Sequence, residues 1–147
     1  MNKPKNTMKV SFPSRGANEG LARMLIASFI TEADPTVEEL CDIKTAVSEA
    51  VTNCIVHAYP DRIGEIYIAA SLSEGNLVTV KVRDHGCGIA DIPKAMEPLF
   101  TTGNPEERSG LGFAVMQSFM DKVRVSSTPG HGTRVTLTKR LEEKPST

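Results

Sequence analysis

Residues 36–57, TVEELCDIKTAVSEAVTNCIVH, form the longest run of helical periodicity in the chain. Thr36 followed three residues later by Glu39 is the capping-box pattern that starts a helix, and Tyr59-Pro60-Asp61 ends it. Val37, Leu40, Val47, Ala50, Val51, Cys54 and Ile55 supply an apolar stripe. Glu49, Asn53 and His57 interrupt that stripe at i, i+4 and i+8, so they lie one above another beside or inside the apolar face. A carboxylate and an amide are costly to bury there without partners. Two readings follow. Either these are the partly exposed polar residues of an ordinary amphipathic helix, or the face borders a wet, charged site. In the second case Asn53 offers a hard oxygen to Mg2+, a cation that takes few protein ligands and completes its shell with phosphate oxygens and water. Glu49 then stands where it accepts a proton or orients water.

Working outward, residues 8–12 (MKVSF) alternate as a short strand. Residues 18–33 read as a helix, with Leu21, Leu25 and Phe29 at helical spacing, Ala22, Ile26 and Ile30 beside them, and Asn18 as N-cap. Glu19 and Arg23, four apart, share an exposed face. Beyond the central helix, residues 65–72 and 77–83 are β-rich runs around Ser73-Glu74-Gly75-Asn76, a hairpin signal. The irregular stretch 90–109 contains Pro93, Pro98 and Pro105. It is too long for a passive connection, and such loops are functional lids or disordered segments. Residues 110–120 read as a third helix, residues 123–127 and 133–139 as strands around Pro129-Gly130-His131-Gly132, and residues 142–147 as a frayed tail. Helices and hairpins without regular βαβ alternation give an α+β class, with helices packed on one face of a sheet.

Composition narrows the function classes. A chain of 147 residues and 15.9 kDa is expected to be one domain. Lys plus Arg total 17 against 18 Asp plus Glu, a net charge of -1. That balance argues against a general nucleic-acid binder, whose footprint is basic, and against an acidic disordered chain. No stretch approaches the ~20 apolar residues of a membrane span. The first residues lack the apolar core of a secretory signal. Cys41, Cys54 and Cys87 form neither a disulfide framework nor a zinc signature. Cys41 and Cys54 are expected to act as small core hydrophobes, and a cytoplasmic location is the expected one.

Three further motifs carry chemistry. Asp84-x-Gly86-x-Gly88 follows directly on a strand, so an acceptor-only carboxylate at a strand end is followed by glycines that let backbone approach a ligand. Ser109-Gly110-Leu111-Gly112-Phe113 opens a helix, where exposed N–H groups favour anions. Gly130-x-Gly132-Thr133 taken alone is a hairpin turn, and the other two likewise have ordinary turn and helix-start readings. A Walker A loop and the GxGxxG fingerprint are absent, as are the protein-kinase HRD and DFG signatures.

Taken in order, Glu49-x-x-x-Asn53, Asp84-x-Gly86-x-Gly88, Gly110-x-Gly112 and Gly130-x-Gly132-Thr133 resemble the N, G1, G2 and G3 boxes of the GHKL ATP-binding superfamily. The resemblance implies the Bergerat fold: helices on one face of a mixed, largely antiparallel β-sheet. ATP would lie between the layers, under a mobile lid at about 90–109 and within a core of about 8–140. SEAVTN at 48–53, PLFTT at 98–102 and ERSGLGF at 107–113 are similar to the anti-sigma factor serine kinases, closest to the sporulation branch that acts on a sigma factor of the F type. Asn18-Glu19-x-x-Ala22-Arg23 and Asp34-Pro35-Thr36 also resemble that branch.

The family pattern implies Glu49 as catalytic base, Asn53 as Mg2+ ligand and Asp84 on adenine, with Gly86, Gly88 and Thr133 lining the base pocket. It places Gly110 and Gly112 against the phosphates, with Thr101, Thr102, Ser109 and Leu111 among the nucleotide-binding residues. Arg108 would face the γ-phosphate or the lid. Glu19 and Arg23 would form a partner surface on the first helix. Two departures stand out: His57-Ala58-Tyr59 replaces the usual H-G-Y, and His85 and Cys87 interrupt the more frequent D-E-G-V-G.

The implied protein is a homodimer that binds a sigma factor and phosphorylates a serine of a small anti-anti-sigma protein, without touching nucleic acid or membrane. A helical phospho-acceptor domain and a transducer domain have no room here. A stress-response anti-sigma kinase, an ATPase that phosphorylates nothing, and a nucleotide-gated binding module remain as alternatives.

Overall fold

Thr36 Oγ1 accepts from the Glu39 N–H at 3.1 Å, and the Glu39 carboxylate accepts from the Thr36 N–H at 2.9 Å. The capping box is therefore formed, and it starts helix α2 (Val37–Asn53) in the computed structural model, which describes residues 3–96 and 112–143. The α-helix itself ends at Asn53. A π-helical turn, Cys54–Ala58, carries the chain on to the point where the sequence places the helix end.

Around α2 the described elements run β1 (Pro4–Pro13), α1 (Ala17–Ile30), a 3-10 turn (Thr31–Ala33), β2 (Glu65–Ser73), β3 (Leu77–Asp84), a short α3 (Ile92–Ala95), α4 (Phe113–Phe119), β4 (Lys122–Thr128) and β5 (Gly132–Arg140). The strands make one five-stranded sheet in the order β1-β2-β3-β5-β4. Its four pairings are all antiparallel, so the expected mixed sheet contains no parallel pair among the described residues.

Strict alternation along β2 and β3 decides which face is covered. Ile66, Ile68, Ala70 and Leu72 of β2 and Val78, Val80 and Val82 of β3 are buried, and their intervening neighbours are not. Val135 and Leu137 continue that layer on β5. Ile43, Ala46, Val47, Ala50 and Val51 of α2 supply the opposing layer, flanked by Ala22, Ile26 and Ile30 of α1 and by Phe113 and Met116 of α4. These residues form one contiguous core. Helices on one sheet face is the expected class.

Several local expectations are corrected. α1 starts at Ala17 with Gly16 as N-cap, and it gives way to the 3-10 turn after Ile30. Asn18 is not the cap, because its Nδ2 donates to the Pro13 carbonyl at 2.9 Å and ties the helix start to β1. Leu21 is exposed, and Leu25 and Phe29 are half-buried, so the buried seam of α1 runs one residue later than the leucines suggest. Val37 is 80% exposed, and Cys41 is exposed one turn later, so neither belongs to the buried stripe of α2. Cys54 is buried as expected. The first strand is longer than residues 8–12, since its pairing with β2 extends from Pro13 back to Pro4 through one irregularity. Among the described residues, no helix is long and apolar enough to cross a membrane.

Candidate functional site

The π turn after α2 delivers backbone carbonyls to the loop that follows β3. The Ala58 carbonyl accepts from the Cys87 N–H at 3.1 Å, and the His57 carbonyl accepts from Cys87 Sγ at 3.1 Å. Gly86 lies so close to this turn that a Cβ there would run into the Ala58 carbonyl, a steric reason for glycine at that place in the Asp84 motif. Tyr59 completes the latch: its buried hydroxyl donates to the Glu65 carbonyl at 2.8 Å and accepts from the His85 N–H at 2.7 Å. Burial pushes the Tyr59 phenol upward, only partly opposed by the His85 amide, and the charge of Asp84 adds to the rise.

The β4–β5 hairpin closes the other side. Ser127 Oγ accepts from the Ile89 N–H at 2.7 Å and donates to the Gly132 carbonyl at 3.0 Å, and it lies 2.8 Å from Thr133 Oγ1. The Gly130 N–H donates to the Cys87 carbonyl at 2.8 Å. Three stretches far apart in sequence are thus stitched into one wall.

Asp84 stands at the junction, only 5% exposed. Its Oδ1 accepts from the Gly86 N–H at 2.9 Å and the Thr133 N–H at 3.2 Å, and its Oδ2 accepts from Cys54 Sγ at 3.4 Å. Three donors thus satisfy a carboxylate that would be costly to bury without partners. Burial pushes the Cys54 thiol strongly upward, and the negative charge of Asp84 pushes it further, so Cys54 is a protonated donor.

Asp84 lines a cavity of about 190 Å³ whose apolar walls include Ala50, Val82, Phe113 and Val135. Asn53, Gly88 and Thr133 line it as well. Pockets that enclose a whole drug-sized ligand run roughly 300–1,000 Å³, so this cavity has the volume for only part of such a ligand.

Glu49, half-buried one helical turn before Asn53, faces Gly112. Gly112 caps α4 with φ +67, and a Cβ there would overlap the Glu49 carboxylate. The lack of a side chain at Gly112 lets the N-terminal end of α4 lie beside the Glu49 carboxylate.

The structure therefore brings Glu49, Asn53, Asp84, Gly86, Gly88, Gly112 and Thr133 into one region. Glu19 and Arg23 pair at 3.0 Å on α1, and Glu19 also accepts a hydrogen bond from Ser48, the neighbour of Glu49. Thr101, Thr102, Arg108, Ser109, Gly110 and Leu111, with most of the expected lid, lie outside the described residues. His57 is exposed at the cavity rim. Sequence reasoning did not find Ser127 or the bonding role of Tyr59. A serine within a strand carries no local signal, and Tyr59 is legible only as a helix end. Among the described residues, no group of three or more His, Cys, Asp or Glu side chains is arranged to hold a metal ion.

Residues 12–139 match the family described as histidine kinase-like ATPase domain. A relative from Thermoanaerobacter sp. (strain X514), described as anti-sigma F factor, is 58% identical over 136 residues, covering 92% of this chain and 94% of that protein. The anti-sigma F factor of Bacillus subtilis (strain 168) is 48% identical over 140 residues, covering 95% of each. Among solved structures, the RsbU and RsbW domains of a Mycobacterium tuberculosis protein superpose with a TM-score of 0.71 at 22% identity, covering 96% of this chain and 34% of that one, which shows the shared fold. The histidine kinase domain of a blue-light activated kinase from Erythrobacter litoralis superposes at 0.54 with 26% identity, covering 84% of this chain and 61% of that one. With Asn53, Asp84, Gly88 and Thr133 lining one cavity and these matches spanning nearly its whole length, the chain belongs to the histidine kinase-like ATPase domain family, in the branch of the anti-sigma F factors.

Proposed function

We propose that this protein is an anti-sigma factor that holds a sporulation sigma factor of the F type while nucleotide is loaded. As an ATP-dependent protein serine kinase, it phosphorylates and inactivates a small anti-anti-sigma protein. The observation that carries this reading is the placement of Asp84: a buried carboxylate, held by three donors, at an apolar cavity that Asn53 also lines, with Glu49 one turn away on the same helix.

The residues present fit ATP. An apolar slot of this volume suits a purine. An acceptor-only carboxylate suits its exocyclic amine, and the slot leaves the ribose and phosphates to the α2–α4 side. They fit Mg2+ in the limited sense that this ion asks of protein, one or two oxygen ligands with phosphate and water completing the shell.

When bound, Mg2+-ATP supplies the phosphoryl group and part of the charge neutralisation for its transfer. Everything else falls to the chain. Asp84 accepts from the adenine amine, and Gly86, Gly88 and Thr133 bring backbone and hydroxyl to the base. Asn53 offers its amide oxygen to the metal. Glu49 accepts the proton of the partner's serine hydroxyl. The N–H groups at the start of the helix after Gly110 and Gly112, together with Arg108, offset charge on the transferring group, so that positioning and electrostatics carry the reaction. Thr101, Thr102, Ser109 and Leu111 complete the phosphate side.

On this reading the domain spans 1–147 with its core at about 8–140 and its lid at about 90–109. Glu19 and Arg23 present the partner surface on α1, and the Ser48 bond to Glu19 links that surface to the catalytic helix. The working form is a cytoplasmic homodimer.

Labelled ATP incubated with the full chain and the small acceptor protein that copurifies with it tests the proposal. Label on an acceptor serine is the expected result. Release of free phosphate with no protein label would make the chain an ATPase. Sigma retention with a non-hydrolysable analogue and no transfer at all would make it a nucleotide-gated binding module.

A further inference from the structure

The recognition of adenine by Asp84 leaves one of that residue's bonds unexplained. Two backbone N–H groups occupy Oδ1, but the donor to Oδ2 is a side chain, Cys54 Sγ at 3.4 Å. Cys54 is 3% exposed, directly follows Asn53, and lines the same cavity as Asp84. Its sulfur also lies 3.5 Å from the Ala50 carbonyl, yet a thiol has one proton to give, and the ionised carboxylate is the stronger acceptor.

We propose that Cys54 is a positioning residue for adenine: its thiol proton on Oδ2 fixes the plane of the Asp84 carboxylate, so that the remaining Oδ2 lone pair faces the cavity. The inference rests on the reading of Asp84 as the adenine acceptor. Asp84 is 5% exposed, and removal of the thiol takes away the donor that Cys54 gives its Oδ2. A carboxylate oxygen that loses its donor is free to turn toward another partner, which takes its lone pair off the line to an exocyclic amine. Cys54 therefore acts on base selectivity through Asp84 and not on phosphoryl transfer.

The test compares ATP with purine riboside triphosphate, which lacks only the exocyclic amine, as ligands for the full chain and for Cys54→Ala and Cys54→Ser. The wild-type chain should prefer ATP. In Cys54→Ala that preference should shrink about two- to tenfold, the worth of one net hydrogen bond, while the affinity for purine riboside triphosphate stays level. Cys54→Ser keeps a donor at the position and should hold the wild-type preference within about twofold. A merely structural role would lower both affinities together and leave their ratio unmoved, which overturns the proposal. An equal loss of preference in both variants also overturns it, because the effect then belongs to the bulk of the sulfur and not to its proton. If the wild-type chain binds the two ligands equally, the assignment of Asp84 to adenine fails first, whatever Cys54 does.

Discussion

Asp84 shows how one residue concentrates the information of a fold. It ends β3, touches the hairpin through Thr133 and the π turn after α2 through Cys54, and so records the meeting of three segments in one carboxylate. Asp84→Asn would turn an NH2 group toward donors that now find an oxygen. Hydrogen bonds to a charged group are worth about 1.5–3 kcal/mol, so ATP affinity should fall roughly ten- to hundredfold. Titration calorimetry checks this, and an unchanged affinity would remove Asp84 from the base site. The motif made Asp84, Gly86 and Gly88 legible, because a carboxylate followed by alternating glycines at a strand end is a local pattern. Cys54 and Ser127 were not legible in the same way. Their partners lie 30 and 38 residues away, and only the completed sheet and the π turn bring them together.

At the scale of elements, α2 is the piece whose start, polar face and end all matter. Its capping box was readable from Thr36 and Glu39, and both reciprocal bonds are formed. Thr36→Ala should cost about 0.5–2 kcal/mol in urea unfolding. Because the cap lies at the end of α2 away from Asn53, ATP affinity should be unaffected.

Glu39 adds a pH dependence to the same cap. Burial pushes its carboxyl up, but the amides of Thr36 and Glu142, the Thr36 hydroxyl and the nearby Lys139 outweigh that and hold it below its ordinary value of 4.5. A carboxyl lowered in the folded state contributes stability above its unfolded value and loses it as pH falls through the folded one. Glu39→Gln should therefore flatten the acid side of the stability profile, in unfolding curves between neutral pH and pH of about 3. The far end of α2 was less legible. Periodicity runs smoothly to His57, whereas the backbone widens into a π turn after Asn53, and Cys87 bonds the His57 and Ala58 carbonyls there.

At the scale of the molecule, one contiguous core joins the helical layer to the sheet, and the cavity opens between them. A ligand that bridges both layers should stabilise the described fold as a unit. At a hundred times its dissociation constant, ATP should add about 2.7 kcal/mol to unfolding in a single shifted transition. Two separate transitions, only one of them moved by ATP, would contradict a shared core.

The fold class was legible at this scale because alternation in β2 and β3 and the stripe of α2 have different periods. The order β1-β2-β3-β5-β4 was not, because strand neighbours are set by long-range pairing that no local pattern encodes. Glu49, whose carboxylate lies close to Gly112 at the junction of α2 and α4, is the residue we propose as the base for transfer to a partner's serine. The most direct test of that role is the single-turnover rate of phosphoryl transfer to the acceptor protein by Glu49→Gln. The account predicts a fall of about 10²–10⁴-fold with ATP affinity retained, and transfer at the wild-type rate would contradict it.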